Sequence, residues 1–207
     1  MNYEETNVKQ VYNEIAEHFN VTRVSQWIWV TSFINTIKKN NHEKCPKIID
    51  IGCGNGRNMN YSDYNFIGLD NCVGFVNICS NKGLNCINGD MCYLPFKNNS
   101  CDALINIAGF HHLDTVERRI MALKEAKRVC KDNGKILISV WSKNQPEKTK
   151  RQFEEYGDNI VDYNKNGKVF KRYYYIFKID EIKNLFNDTG LKIIQHNWDC
   201  GNEIFIL

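Results

Sequence analysis

The chain has 207 residues, of which 43% are hydrophobic and 25% charged, and its formal net charge is +3. This length is sufficient for one globular domain with its own core, and the composition excludes collagen-like, coiled-coil and disordered classes. No run approaches the ~18 apolar residues of a membrane span, and the first six residues are acidic rather than signal-like. We therefore expect a soluble protein without membrane contact, located in the cytoplasm or alternatively in the nucleus.

The hydrophobic pattern predicts two N-terminal helices followed by alternating strands and helices. The predicted helices cover residues 8–19, 25–39, 56–62, 73–81, 115–130, 147–156 and 179–188. The predicted strands cover residues 47–51, 65–69, 84–87, 102–107, 134–141, 191–197 and 202–207. Such alternation is typical of a doubly wound α/β fold on a parallel sheet. We expect a single domain over residues 1–207, with an N-terminal helical lid (1–45), a cofactor-binding half (46–142) and a substrate-binding half (143–207).

A glycine-rich loop follows the first predicted strand. Glycines alternate in the run Asp50-Ile51-Gly52-Cys53-Gly54-Asn55-Gly56, and glycine allows the backbone to turn tightly and to approach a ligand. The dinucleotide fingerprint GxGxxG has its third glycine one residue later. The spacing here instead fits a loop around a cofactor without a pyrophosphate. The amino acid moiety of S-adenosylmethionine is such a ligand, and its ammonium group suits Asp50.

Polar residues also mark the ends of the next strands. Asp70 closes the second strand, where a carboxylate accepts hydrogen bonds from ribose hydroxyls. Asp90 follows the third strand, beside Met91, and suits an adenine amino group. Either aspartate could simply cap a helix, but their recurrence at successive strand ends favours S-adenosylmethionine. The predicted cofactor residues are Asp50, Gly52, Gly54, Asn55, Gly56, Asp70, Asn71, Asp90, Met91, Ile107 and Ala108.

Nine cysteines are present, an odd number without a CxxC pair. This pattern is unlike a structural zinc site or a secreted disulfide framework. We therefore expect reduced, structural thiols and no metal site.

The surplus of basic residues falls in the second half of the chain, among aromatic residues that include Phe170 and Tyr173. That mixture suits a phosphate backbone and flipped-out bases, or equally a solvated helix face beside strand aromatics.

The chain resembles class I S-adenosylmethionine-dependent methyltransferases and, more narrowly, the tRNA methyltransferases that esterify 5-carboxymethyluridine at the anticodon wobble position. The blocks that carry this narrower resemblance are residues 11–19 with Thr22-Arg23 and Trp27, residues 107–113 with Glu117-Arg118-Arg119, and residues 172–175. The resemblance implies a seven-stranded Rossmann-like sheet and tRNA as the substrate. It also implies a heterodimer with a small zinc-binding activator protein.

A carboxylate acceptor determines which side chains the reaction needs. A carboxyl with a pKa near ~4 is ionised at pH 7 and needs no strong base, so the site must orient one oxygen and exclude water. Arginine can hold a carboxylate with two hydrogen bonds, and a tryptophan can stack on a flipped base. The candidate catalytic residues are Arg23, His111, His112, Trp141, Arg172 and Tyr173. We expect one of the two histidines to be structural.

Two other functions share the predicted cofactor residues. One is a methyltransferase acting on a small-molecule acid or a quinone precursor, and the other is a non-catalytic cofactor-binding subunit. For the activator, a sheet edge at residues 84–87 beside the apolar helix 73–79 would invite strand addition by a partner. The alternative is that both segments lie in the chain's own core.

Overall fold

The computed structural model describes residues 3–40, 45–147, 149 and 152–207. The helices are α1 (Val11–Thr22), α2 (Ile28–Asn40), α3 (Val73–Asn81), α4 (Val116–Val129) and α5 (Ile179–Asp188), and a π-helical segment, Glu5–Gln10, precedes α1. The strands are β1 (Lys47–Ile51), β2 (Asn65–Asp70), β3 (Cys86–Asn88), β4 (Cys101–Ile107), β5 (Cys130–Trp141), β6 (Gly157–Lys165), β7 (Lys168–Ile176), β8 (Gln195–Asp199) and β9 (Asn202–Ile206). None of the helices in these ranges has the length and apolar character of a membrane span.

Seven strands form one sheet in the order β3-β2-β1-β4-β5-β9-β8. The first five are parallel, while β9 pairs antiparallel with β5 and β8 antiparallel with β9. This topology confirms the predicted doubly wound, seven-stranded fold. The order in which strands are added to the sheet reverses between β1 and β4, and ligands of such sheets bind where the strands end at this switch point.

Both faces of the sheet are covered, as a parallel sheet requires. Side chains alternate along β4, so that Leu104 packs in one core and Ala103 and Ile105 in the other. The first core is completed by α4 and α5, and the second by the apolar side of α2. Packing on both faces therefore fixes the positions of the strand ends.

The N-terminal helix α1 packs closely on α3. A Cβ on Gly74 would lie 2.9 Å from the Cβ of Ala16, so only glycine permits this approach. Asn13 Oδ1 accepts a hydrogen bond of 3.0 Å from the backbone N–H of Gly74, in the first turn of α3. These contacts place α1 beside the ends of β1 and β2, where it can act as the predicted lid.

Four predicted elements are wrong or displaced. Residues 56–62 form turns instead of a helix, because Gly56 has a φ of 74°, which a right-handed helix does not allow. The described residues of the predicted helix 147–156 are not helical, while 148, 150 and 151 lie outside the described residues. The strands predicted at 84–87 and 191–197 are instead β3 and β8, at 86–88 and 195–199.

The hairpin β6–β7 was not predicted. It is closed by Asn166 and Gly167, with φ of 52° and 87°. Two positive φ values at the centre of a two-residue loop are typical of a type I′ turn, and Asn-Gly is its strongest sequence signal. This dipeptide could therefore have revealed the hairpin.

Candidate active site

The glycine loop after β1 is bonded to the end of β2. The backbone N–H groups of Gly52 and Cys53 donate to the Leu69 carbonyl at 2.7 and 3.2 Å, and that of Gly54 donates to Asp70 Oδ2 at 2.8 Å. Gly52 and Gly54 have φ of 69° and 55°, in the left-handed region that favours glycine. The loop therefore has the tight conformation that its glycine spacing predicted.

The loop borders a cleft with an empty volume of about 940 Å³, which includes space open to solvent. Nine of the predicted cofactor residues line it: Gly52, Gly54, Asn55, Asp70, Asn71, Asp90, Met91, Ile107 and Ala108. Gly56 does not, because its Cα faces Leu84 and Cys79. Asp50 does not line the cleft either, since it is fully buried on β1. A direct contact of these last two residues with a cofactor stays a prediction.

Asp50 nevertheless affects the electrostatics of the cleft. Neither of its carboxylate oxygens has a hydrogen-bond partner among the described residues. Burial, reinforced by the neighbouring Asp70 carboxylate, raises the pKa of Asp50 to about 8. A buried carboxylate without donors favours a nearby cation. S-adenosylmethionine carries both a sulfonium and an ammonium group and fits this requirement.

The other two predicted carboxylates are fixed by hydrogen bonds. Asp70 accepts from the backbone N–H groups of Gly54 (2.8 Å) and Cys72 (2.9 Å), and burial raises the pKa of Asp70 to about 6. Asp90 accepts two hydrogen bonds from Arg118, at 2.8 and 3.1 Å. Asp90 therefore lines the cleft while paired with Arg118, and the sequence did not predict this ion pair.

A second pocket adjoins the cofactor cleft, and we call it the acceptor pocket. It is lined by the segment that joins α1 to α2, by β7 and by the end of β5. The lining residues include Arg23, Arg57, Arg172, Tyr12, Phe19, Trp27, Ala108, His111, Trp141 and Tyr174. Ala108 borders both spaces and has a φ of 55°. Backbone strain at a non-glycine residue is often found at functional sites, and here it marks the junction.

Three arginines converge on the acceptor pocket. Arg172 is only 5% exposed, and its Nε has no hydrogen-bond partner among the described residues. Burial and the nearby Arg23 guanidinium lower the pKa of Arg57. Within the described parts of the chain, no carboxylate lines this pocket and no ion pair involves any of the three. Asp50 interacts electrostatically with Arg57 but does not line the pocket, so the converging cations favour an anionic ligand there.

Aromatic side chains and histidines form the wall beside these arginines. Trp141 and Tyr174 stack with ring centroids 4.0 Å apart and planes at 6°. His111 Nδ1 accepts from the backbone N–H of Trp141 at 2.9 Å, so the proton of a neutral His111 resides on Nε2.

His112 occupies a different place from His111. It lines the cofactor cleft, its Nδ1 donates to the Tyr173 carbonyl at 2.7 Å, and its Nε2 accepts from the Tyr12 hydroxyl at 3.1 Å. Burial lowers the pKa of His112 to about 3. The ring is therefore neutral and held in one tautomer, and it is not positioned as a proton donor to the acceptor pocket.

Tyr173, like His112, does not line the acceptor pocket. Side chains alternate along β7, so Arg172 and Tyr174 border the pocket while Tyr173 points to the opposite face. The Tyr173 hydroxyl donates to Asp158 Oδ1 at 2.7 Å. Tyr174 takes the place expected of Tyr173, because it lies two residues from Arg172.

Arg57 is a site residue that sequence reasoning missed. It lines both the cofactor cleft and the acceptor pocket. Its backbone carbonyl accepts from Gln26 Nε2 at 2.6 Å, and its Nη1 donates to the Ser25 carbonyl at 3.3 Å. Its position directly after the last loop glycine was the available signal, but that position alone does not distinguish a ligand-binding arginine from a solvent-exposed one.

Comparison with known proteins agrees with this geometry. The model of a family described as "Methyltransferase domain" matches residues 49–138. A protein of Encephalitozoon cuniculi named as a methyltransferase is 33% identical over 202 residues, which cover 94% of this chain and 91% of that protein. The tRNA (carboxymethyluridine(34)-5-O)-methyltransferase of Schizosaccharomyces pombe is 32% identical, with 97% of this chain and 95% of that protein covered. The chain belongs to the tRNA (carboxymethyluridine(34)-5-O)-methyltransferase family.

Other members of this methyltransferase family are longer. Mouse ALKBH8, which has the same enzyme name, is 38% identical over 149 residues, and these cover 72% of this chain but only 22% of ALKBH8. As a family member, the chain is an S-adenosylmethionine-dependent methyltransferase, which confirms the predicted cofactor.

Solved structures show the same fold at low identity. An S-adenosylmethionine-dependent methyltransferase from Clostridium acetobutylicum superimposes with a TM-score of 0.70 at 14% identity, covering 94% of this chain and 97% of that one. A chain from the complex between the Haloferax volcanii Trm112 methyltransferase activator and a methyltransferase gives a TM-score of 0.65 at 14% identity, covering 94% and 96%.

Proposed function

We propose that this methyltransferase esterifies the carboxylate of 5-carboxymethyluridine at the wobble position of tRNA. The observation that carries the proposal is the convergence of Arg23, Arg57 and Arg172 on an aromatic pocket beside the cofactor cleft. The name of the Schizosaccharomyces pombe relative, which matches nearly the whole chain, supports the same substrate. A site for a small-molecule acid would also need cationic side chains, but the aromatic side chains of this pocket favour a nucleobase as part of the acceptor.

The acceptor's chemistry explains why arginines and aromatic rings replace a strong base. The carboxylate is ionised at pH 7 and is already nucleophilic. The guanidinium groups of Arg23 and Arg172 therefore hold and orient it, and neutral His112 is not needed to remove a proton. The stacked Trp141–Tyr174 pair forms an apolar surface for the flipped uracil.

The cofactor is held by the cleft at the ends of β1, β2 and β4. Gly52 and Gly54 would let the backbone approach the amino acid moiety, Asp70 would accept hydrogen bonds from the ribose hydroxyls, and Met91 would contact the adenine. When bound, S-adenosylmethionine supplies an electrophilic methyl group on a sulfonium. Ala108 borders both spaces, so the methyl donor and the acceptor would meet beside its backbone.

A partner subunit is the second part of the proposal. The three-residue strand β3 lies at the edge of the sheet, and an unpaired edge accepts a strand from a partner. The apolar face of α3 is not available, because Phe75 and Ile78 pack against α1. We therefore place the small zinc-binding activator at β3. A monodisperse isolated chain with full activity would contradict this pairing.

An acceptor-side variant tests the proposed function. Arg23 lines the acceptor pocket but not the cofactor cleft, so Arg23→Ala should lower kcat/KM for tRNA about tenfold to hundredfold, as expected for lost charge-assisted hydrogen bonds. Its affinity for S-adenosylmethionine, measured by calorimetry, should stay unchanged. Lys192→Ala removes an equal charge from an exposed position outside both spaces and serves as the control. Equal activity of the two variants would exclude Arg23 from acceptor binding.

A further inference from the structure

Three cysteine side chains meet behind the cofactor loop. Cys53 belongs to the loop, Cys79 lies near the end of α3, and Cys86 begins β3. Their sulfur atoms all lie within 4.8 Å of one another, and those of Cys53 and Cys86 are 3.3 Å apart. Because the three positions match no short metal-binding motif, the thiols were expected to be separate and structural. The fold instead gathers them into one cluster that the proposed reaction does not use.

Two further donor atoms border the thiol cluster. The Gly54 carbonyl oxygen lies 3.3 Å from Cys79 Sγ and 3.8 Å from Cys53 Sγ. Met59 Sδ lies on the same side of Gly68 as Cys53 Sγ, because a Cβ on Gly68 would be 2.9 Å from the first and 2.8 Å from the second. A larger residue at position 68 would displace these sulfur atoms. Sulfur donors of this kind select thiophilic metal ions such as zinc and monovalent copper.

The charge around the cluster also favours a cation. The acidic side chains of Asp70 and Asp50 lie close enough to Cys53 to interact electrostatically with it, and negative charge beside a cluster of sulfur atoms attracts a cation. Cys86 is only partly buried, so an ion can reach the cluster from that side.

We propose that Cys53, Cys79 and Cys86 together bind one thiophilic d¹⁰ metal ion, for which zinc is the natural probe. A zinc–sulfur bond is about 2.3 Å, so tetrahedral ligands place their sulfur atoms about 3.8 Å apart. The 3.3 Å separation and the 4.8 Å limit lie on either side of that value. Each thiol loses one proton and gives its electron pair to the metal, so no oxidant or reductant is needed.

Metal binding at this place would affect the cofactor loop. Cys53 lies between Gly52 and Gly54, which both line the cofactor cleft. Coordination of Cys53 would tie the loop to α3 and β3 without occupying the cleft. The inference is independent of the methyl acceptor, because it concerns only the loop and the two elements behind it.

Metal content tests the proposal directly. The starting protein is the full chain with the exposed Cys45 and Cys200 replaced (Cys45→Ser, Cys200→Ser). It is equilibrated with zinc and a non-thiol reductant, desalted, and measured by mass spectrometry of the metal. We expect about one zinc per chain, none after the additional change Cys86→Ser, and one after Cys92→Ser, which alters a buried thiol outside the cluster.

A second measurement uses the starting protein alone, so it does not depend on the folding of any cysteine variant. Titration of the starting protein with cadmium should produce the ultraviolet charge-transfer band of a tris-thiolate complex, saturating at one equivalent. The proposal is overturned if the folded starting protein retains no zinc and gives no such band. It is also overturned if the Cys86→Ser variant keeps as much zinc as the Cys92→Ser control, or if Cys53 and Cys86 are found joined as a disulfide under the reductant.

Discussion

Adjacent side chains on β7 have different environments, and this determines which of them can act at the acceptor pocket. Tyr174 stacks on Trp141 at the acceptor pocket, and its hydroxyl lies 2.9 Å from that of Tyr12. Tyr173 lies on the other face and bonds to Asp158. Tyr174 is only 1% exposed, so we assign it to the support of the partly exposed Trp141 ring, which faces the flipped base. Tyr173 packs with α1 and α3 on the other face.

This assignment predicts opposite outcomes for substitutions at the two tyrosines. Tyr174→Leu removes the ring that supports Trp141 and should lower kcat/KM for tRNA about tenfold, as expected if the base–Trp141 contact is lost, whereas Tyr174→Phe keeps the ring and should retain most activity. Tyr173→Phe should keep kcat/KM and lose only about 1 kcal/mol of stability with its hydrogen bond. Methyl-transfer kinetics and urea unfolding measure both effects. A Tyr173→Phe enzyme as impaired as Tyr174→Leu would refute the assignment.

The Asn55 side chain links the cofactor loop to the end of α1 and to the segment that joins α1 to α2. Asn55 Nδ2 donates to the Asn20 carbonyl (3.3 Å), to Asn20 Oδ1 (3.1 Å) and to the Arg23 carbonyl (2.9 Å). The same segment carries Arg23 into the acceptor pocket. Asn55 thus couples the cofactor site to the predicted lid.

Asn55→Ala tests this coupling between elements. Without the amide, the cofactor dissociation constant should rise roughly threefold to tenfold, the effect of about one hydrogen bond. Amide hydrogen exchange over residues 20–27 should become faster, since local opening there loses its restraint. Asn184→Ala, at an exposed position of α5, is the matched control. Unchanged exchange in the Asn55→Ala protein would show that the lid is held by other contacts.

Sequence reasoning found the elements whose signals are local. The alternating glycines located the cofactor loop, and the apolar strands beside it predicted the sheet. It could not place Tyr173 on the far face of β7 without the hairpin, because alternation fixes sides only once the strand is known. The three-cysteine cluster and the three-arginine pocket were also out of reach, since each joins residues from distant elements.

The stability of the whole molecule should depend on pH through Asp50. Its folded-state pKa is about 8 against an ordinary value of 3.8, so between these values the folded chain holds a proton that the unfolded chain has released. The contribution of Asp50 is therefore complete below about pH 4 and is lost as the pH rises through about 8. The free energy of unfolding of the cofactor-free chain should fall over that window.

Asp50→Asn isolates this effect, because asparagine mimics the protonated carboxyl. The variant should unfold with the same free energy as the parent at pH 4 and with a free energy a few kcal/mol higher at pH 8. Glu4 also has a pKa raised by burial, to about 7, but it is present in both proteins and cancels. Urea unfolding curves at several pH values provide the comparison. If the free energies of unfolding of the two proteins changed in parallel with pH, the raised pKa of Asp50 would be contradicted.

In the proposed reaction, the methyl group ends on a carboxylate of tRNA. The most direct measurement incubates the chain, purified with its candidate activator, with methyl-labelled S-adenosylmethionine and tRNA that carries 5-carboxymethyluridine at the wobble position, and then treats the product with mild alkali. We predict that label enters the tRNA and that alkali releases it, as it does from a methyl ester. Label that resists alkali, or label found only in small-molecule products, would contradict the assigned acceptor.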